Sequence, residues 1–336
     1  MQPSRRDVLR FAGTAAGLAA TAGCLSFGTG QSGYQLLAHD LEDSLARQYL
    51  IPDPTDVRAE TRVDYTSERK SGYVETLLDT GSVTALQWPL TEYEYWGDHA
   101  RPRPAFLRHE GTFYHVRVAE TMVDRDRWVF GFERADEPDG DAAVAMEPFG
   151  SLSDADRRVV EAALDAIYAG SDGFLGTPDF DEQPVVQFHD GLDPAASDLV
   201  PEPPFDFVEY AEDYYRPFTD QRTVTVPERT FSLEAVGDSW AAIEEYVEST
   251  VPDARFSEVS LSSAARDVLD TAVDPEEVRG YLEDPPLSDG LSSVLGALGI
   301  EDHLRPYDEY ETRTVYPGAV AEYRGTWYEF ELQVEV

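Results

Sequence analysis

Asparagine is absent from these 336 residues, and lysine and cysteine occur once each, as Lys70 and Cys24. Without asparagine there is no acceptor for N-glycosylation. A single thiol cannot close an internal disulfide, so stability has to come from a packed core. The 26 basic residues are otherwise arginine, and 66 acidic residues outweigh them to a net charge of −40. A surface so short of positive charge excludes nucleic acid as a partner, because phosphate binding needs a basic footprint. Recognisable catalytic signatures are missing as well. No G-x-S-x-G elbow, H-E-x-x-H pair, phosphate loop or dinucleotide fingerprint occurs.

What is present begins at the N-terminus. Ser4-Arg5-Arg6-Asp7-Val8-Leu9-Arg10 is followed by a small-residue, apolar run over 11–23. That run is 13 residues, below the roughly 17 that a membrane-crossing helix needs. Basic residues, a short apolar stretch and a small-residue cleavage site make a secretory signal. The adjacent Arg5 and Arg6 point to the twin-arginine route, which exports folded proteins. Thr21-Ala22-Gly23-Cys24 then resembles a lipobox, the site at which a signal is cut before a lipidated cysteine. The Ser- and Gly-rich stretch that follows reads as a tether. Residues 1–23 are thus expected to be the signal and 24–34 a lipid-anchored tether, which places the protein on the extracellular face of the cytoplasmic membrane.

Loss of residues 1–23 removes three arginines and one aspartate and leaves a net charge of −42. At low salt that charge repels itself and works against a compact chain. At molar salt the Debye length falls to about 3 Å and the repulsion is screened. Disorder does not explain the acidity, because 42% of the chain is hydrophobic and 12% aromatic, too rich for a disordered tail. Dense carboxylates with almost no lysine, behind a twin-arginine signal and a lipobox, resemble the exported lipoproteins of salt-loving archaea. That resemblance implies an address and a solvent; it implies no activity.

Internal similarity suggests repetition. Ser151-Leu152-Ser153 leads into Ala155, Arg157, Val159, Val160, Ala163 and Asp165. A shift of 109 residues gives Ser260-Leu261-Ser262, then Ala264, Arg266, Val268, Leu269, Ala272 and Asp274. A weaker copy starts at Ser67. The three- and four-residue apolar spacing predicts a helix in each, and Ser153 with Asp156 resembles a capping box. Each helix precedes a hairpin pattern: 106–116, 207–216 and 320–330, with Glu110-Gly111 and Arg324-Gly325 at the turns. Further helices are predicted at 35–49, 239–249 and 288–298, and strands at 126–134, 223–226 and 229–236. The expected fold is therefore α+β. It comprises three related modules, 35–147, 148–237 and 238–336, each a helix followed by an antiparallel hairpin.

Candidate chemistry is sparse. Ser67-Glu68-Arg69-Lys70 matches an S-x-x-K motif, but its partner motifs are missing. His109 and His115 flank one predicted turn, near Asp98 and His99, and are the best candidate metal ligands. On the hairpin reading a strand-surface position explains them equally well. Asp179, Asp181, Glu182, His189 and Asp190 form an acidic loop without EF-hand spacing. No catalytic residue and no cofactor is assigned. The function expected is a non-enzymatic, lipid-anchored surface protein of a halophile, held to the membrane by Cys24, with an envelope protein as partner. The alternatives are an extracellular carboxylate- or metal-dependent hydrolase and a solute-capturing lipoprotein.

Overall fold

The computed structural model describes residues 32–41, 44–51, 61–96, 99–138, 140, 142–146, 149–169, 185–189, 191–211, 213–310 and 313–336. Arg5, Arg6, Cys24, nearly all of the tether, Asp98, Asp179, Asp181, Glu182 and Asp190 lie outside them.

In chain order the elements are β1 (Gly33–Asp40), α1 (Leu45–Tyr49), β2 (Leu50–Ile51), α2 (Ser67–Thr80), β3 (Ser82–Leu86), β4 (Tyr93–Trp96), β5 (His99–Pro102), β6 (Phe106–His109), β7 (Thr112–Ala135), β8 (Val144–Met146) and α3 (Asp154–Ala169). They continue with β9 (Val185–Gln187), β10 (Phe207–Tyr210), β11 (Asp213–Gly237), α4 (Trp240–Thr250), β12 (Ala254–Arg255), α5 (Ser263–Ala272), β13 (Tyr281–Glu283), α6 (Asp289–Ala297), β14 (Thr314–Tyr323) and β15 (Thr326–Glu335). The chain divides into two compact units. One joins the described residues up to Asp40 to Ala254–Arg324 and Tyr328–Val336; the other is Leu41–Asp253 with Gly325–Trp327.

The larger unit is organised by β7 and β11. These strands, 24 and 25 residues long, pair antiparallel from Tyr214–Ala135 to Gly237–Phe113. β6 and β9 extend the sheet beside β7, while β10 and β3 extend it beside β11, and β8 completes it beyond β10. Two cores form on the same face, one toward each end of the paired strands. At one end α2 supplies Val74 and Leu77 against Leu107, Val116 and Phe231. At the other, α3 supplies Val159, Val160 and Leu164 against Phe130, Phe132 and Tyr215. β11 runs through Pro217 and Pro227 without breaking. The Pro227 carbonyl accepts from the Gln87 amide on the edge away from β7. The nitrogen of the same residue points to that edge, so no bond to β7 is lost. Pro217, ten positions earlier, has the same orientation.

The smaller unit is a five-stranded sheet in the order β12-β14-β15-β1-β13, with α5 and α6 packed on each other. β1 is central. It pairs with β15 from Gly33–Glu335 to Asp40–Tyr328 and with β13 through Tyr34–Glu283 to Leu36–Tyr281.

The expected α+β arrangement of three helix-plus-hairpin modules is not what forms. The chain is mixed α/β with large multi-stranded sheets. The three hairpins exist individually, as β6–β7, β10–β11 and β14–β15. The second strands of the first two run on far past their turns and pair with each other, so both hairpins belong to one sheet. The third joins β1 instead. The helix expected over 35–49 is also corrected. Residues 35–40 of that stretch are strand β1, because backbone pairing on both edges outweighs the helical spacing of its apolar residues, and only Leu45–Tyr49 is helical.

Candidate functional site

The most concentrated chemistry lies in the larger unit, beside the middle of the β7–β11 pair. Asp64 is 4% exposed. Its carboxylate accepts the Trp88 indole N–H, with both oxygens at 2.9 Å. His189 Nε2 lies against Asp64 Oδ2, forming an ion pair when the imidazole is protonated. It lacks hydrogen-bond alignment, and Nδ1 has no hydrogen-bond partner among the described residues. The Arg62 guanidinium stands 5.1 Å over the Trp88 ring. Each residue is placed by local chain geometry. Trp88 follows Gln87, whose φ of 65° turns the chain out of β3, and His189 follows β9. Gly191 lies so close to the Asp64 carbonyl that a Cβ there would stand 2.1 Å from the oxygen.

Two arginines continue the network. Arg127, 6% exposed, donates from Nη1 to Gln187 Oε1 at 2.9 Å and to Gln87 Oε1. Arg229, 8% exposed, donates to the Gln87 carbonyl and to the Tyr93 hydroxyl at 2.8 Å, and pairs with Glu120 at 2.7 Å. Buried charge of this kind persists only when paired and hydrogen-bonded. Chemically, Asp64 and His189 form a carboxylate–imidazole pair of the sort used in proton transfer. Here the pair is enclosed, and what it does in the fold is tie 62–65, 87–88 and 187–191 together.

A second polar cluster surrounds His115. The ring lies 4.5 Å from Phe106, and Nδ1 is 3.3 Å from the Tyr246 hydroxyl of α4. Arg117 donates to Tyr246 at 2.9 Å and to Glu234 at 2.5 Å. Burial, reinforced by the Arg117 charge and opposed by Glu234, pushes the imidazole down from 6.5 to about 4. It is therefore neutral near pH 7.

The histidine pair singled out from sequence does not converge. His109 is opposite Thr112 and His115 is opposite Phe106. Thr112 and His115 are three residues apart on one strand, so the two imidazoles project from opposite faces. His99 is on β5, in a separate two-stranded sheet with β4. Among the described residues no group of three or more His, Cys, Asp or Glu side chains is placed to hold a metal ion. Ser67 opens α2 one turn before Lys70, which is buried. His189, read from sequence with an acidic loop, sits on Asp64. The network residues Asp64, Trp88, Gln87, Arg127 and Arg229 carried no local signal, since it is the tertiary fold that brings them together.

Among the described residues one surface recess lies around Tyr49, Thr91 and Arg103 and another around Glu133, Phe207 and Arg216; neither is lined by Asp64, His115 or His189. No family model, no curated protein and no solved structure matches the chain.

Proposed function

We propose that the protein is exported through the twin-arginine route and anchored by a lipid on Cys24, and that it acts at the surface of a salt-loving cell by binding. The observation that carries the address is the succession of Arg5-Arg6, the apolar run 11–23 and Cys24. Compatible with it, the first described strand starts at Gly33, nine residues after Cys24 in the sequence. Among the described residues no helix is long and apolar enough to cross a membrane. Binding is favoured over catalysis because the acid–base groups, Asp64 with His189 and His115 with Tyr246, are spent on enclosed tertiary contacts. The opposed faces of His109 and His115 remove that pair as the metal site of the hydrolase alternative.

Cell fractionation at high salt tests the address. Cys24→Ser protein leaves the membrane fraction or stays only with its signal uncleaved, and replacing Arg5 and Arg6 with lysine stops export. Mature, cleaved protein that remains membrane-bound without Cys24 would falsify the anchor. Cross-linking in intact cells tests the binding role, with a recurrent envelope protein as the expected capture.

A further inference from the structure

Besides Met1, which falls in the expected signal, the chain holds only two methionines, Met122 and Met146. Both are in the larger unit, and both are 59% exposed. Methionine ordinarily serves a fold as a flexible, polarisable filler of core gaps. Here the two cores of the larger unit are filled without it.

Each thioether stands on a surface that is complete without it. Met122 lies opposite Pro227 in the β7–β11 ladder. The next rows on its face are Glu120 with Arg229 and Asp124 with Thr225. These neighbours bind each other. Arg229 pairs with Glu120 at 2.7 Å, and the Thr225 hydroxyl donates to Asp124 at 2.7 Å. Met146 is on β8, at the edge of the sheet, beside Glu209 of β10.

That placement decides two things at once. Access to the sulfur governs whether an oxidant reaches it. Access to water governs what the product costs, because a sulfoxide oxygen is a strong acceptor that is expensive to bury and cheap to leave hydrated. In a core the same change breaks packing. We propose that Met122 and Met146 are oxidation sites, converted to sulfoxides by peroxide-class oxidants with the fold left intact. With hydrogen peroxide, a sulfur lone pair forms the S–O bond as the O–O bond breaks. The proton of the transferred hydroxyl passes to the departing hydroxide. Sulfur is oxidised by two electrons, and the peroxide is reduced to water. The inference rests neither on the lipid anchor nor on the binding role.

The test is a time course of hydrogen peroxide on the full chain in molar KCl, read by peptide mapping in a mass spectrometer. Met122 and Met146 should each gain one oxygen, at rates within about threefold of the same residues in the urea-unfolded chain. The melting temperature of the doubly oxidised protein should stay within about 2 °C of the untreated one. Leu77→Met and Leu164→Met are the controls. Both positions are buried at 1% exposure, one in each core, and the swap conserves volume. Their sulfurs should oxidise at least about tenfold more slowly than Met122, because oxidant reaches them only when the core opens. Slower reaction than the threefold limit at either native methionine overturns the inference. So does a larger drop in melting temperature on oxidation. Core methionines that oxidise as fast as Met122 overturn it too, since access would then come from unfolding and not from the surface.

Discussion

Single residues decide how tightly the buried network is held. Gly191→Ala puts a methyl group 2.1 Å from the Asp64 carbonyl oxygen, and backbone has to move to admit it. The expected cost is about 3 kcal/mol, read as a lower urea midpoint. Gly150→Ala, with nothing within 4 Å, is the matched control and should be near neutral. Trp88→Phe removes the indole N–H from a buried carboxylate and should cost about 2 kcal/mol, measured the same way. His115 governs a pH effect whose sign follows from its lowered folded value. As pH falls, the unfolded chain takes up the proton first, near 6.5, while the folded protein resists until about 4. The contribution is full above pH 6.5 and is lost progressively toward pH 4. His115→Gln should therefore flatten the fall in urea midpoint across that window relative to the parent. Equal slopes would mean that the imidazole is not held neutral. Of these sites only His115 stood out in the sequence, and there as a candidate metal ligand, not as a buried imidazole. Val63-Asp64-Tyr65 has no pattern of its own, and its meaning comes from Trp88 and His189, which reach it from distant parts of the chain.

Elements were more legible where the signal is local. Helix starts were readable because their caps are short-range. Ser153, Ser239, Ser262 and Ser288 each accept the amide three residues on. Ser262→Ala should cost about 1 kcal/mol, while Ser262→Asp should cost little, a contrast that thermal melting can resolve. The capping-box reading of Asp156 was incomplete, however: its carboxylate accepts from the Ser197 hydroxyl and the Asp198 amide. Hairpin turns were readable because Glu110-Gly111 and Arg324-Gly325 take left-handed φ values of 48° and 88°, and 54° and 83°, the pattern of a tight two-residue turn. Longer-range pairing was not readable. In the middle of β7, Glu120 to Arg125 are mostly exposed, so the alternation that marks a strand fades there. Pro227 likewise divides β11 into two apparent strands, although its missing N–H faces an edge. β1 is buried on consecutive residues from Gly33 to Leu36, which erases the period of two and imitates a helix.

At the scale of the whole molecule, charge sets the conditions for folding. With a net −40, the urea midpoint should rise steeply as KCl goes from 0.1 M, where the Debye length is about 10 Å, to 1 M, where it is about 3 Å. A flat response would remove the salt-loving reading. Connectivity sets the timing. β1 hydrogen-bonds to β15 over its whole length, although the two are roughly 300 residues apart in the chain, the kind of separation that slows folding. The first described strand has to wait for the last described one to leave the ribosome. On the export reading proposed above, a chain cut short before β15 would carry its signal upstream of a strand that keeps only its short pairing with β13. Because the twin-arginine route takes folded cargo, that stitch would act as a proofreading step, and only chains translated through β15 would present a closed unit behind the signal.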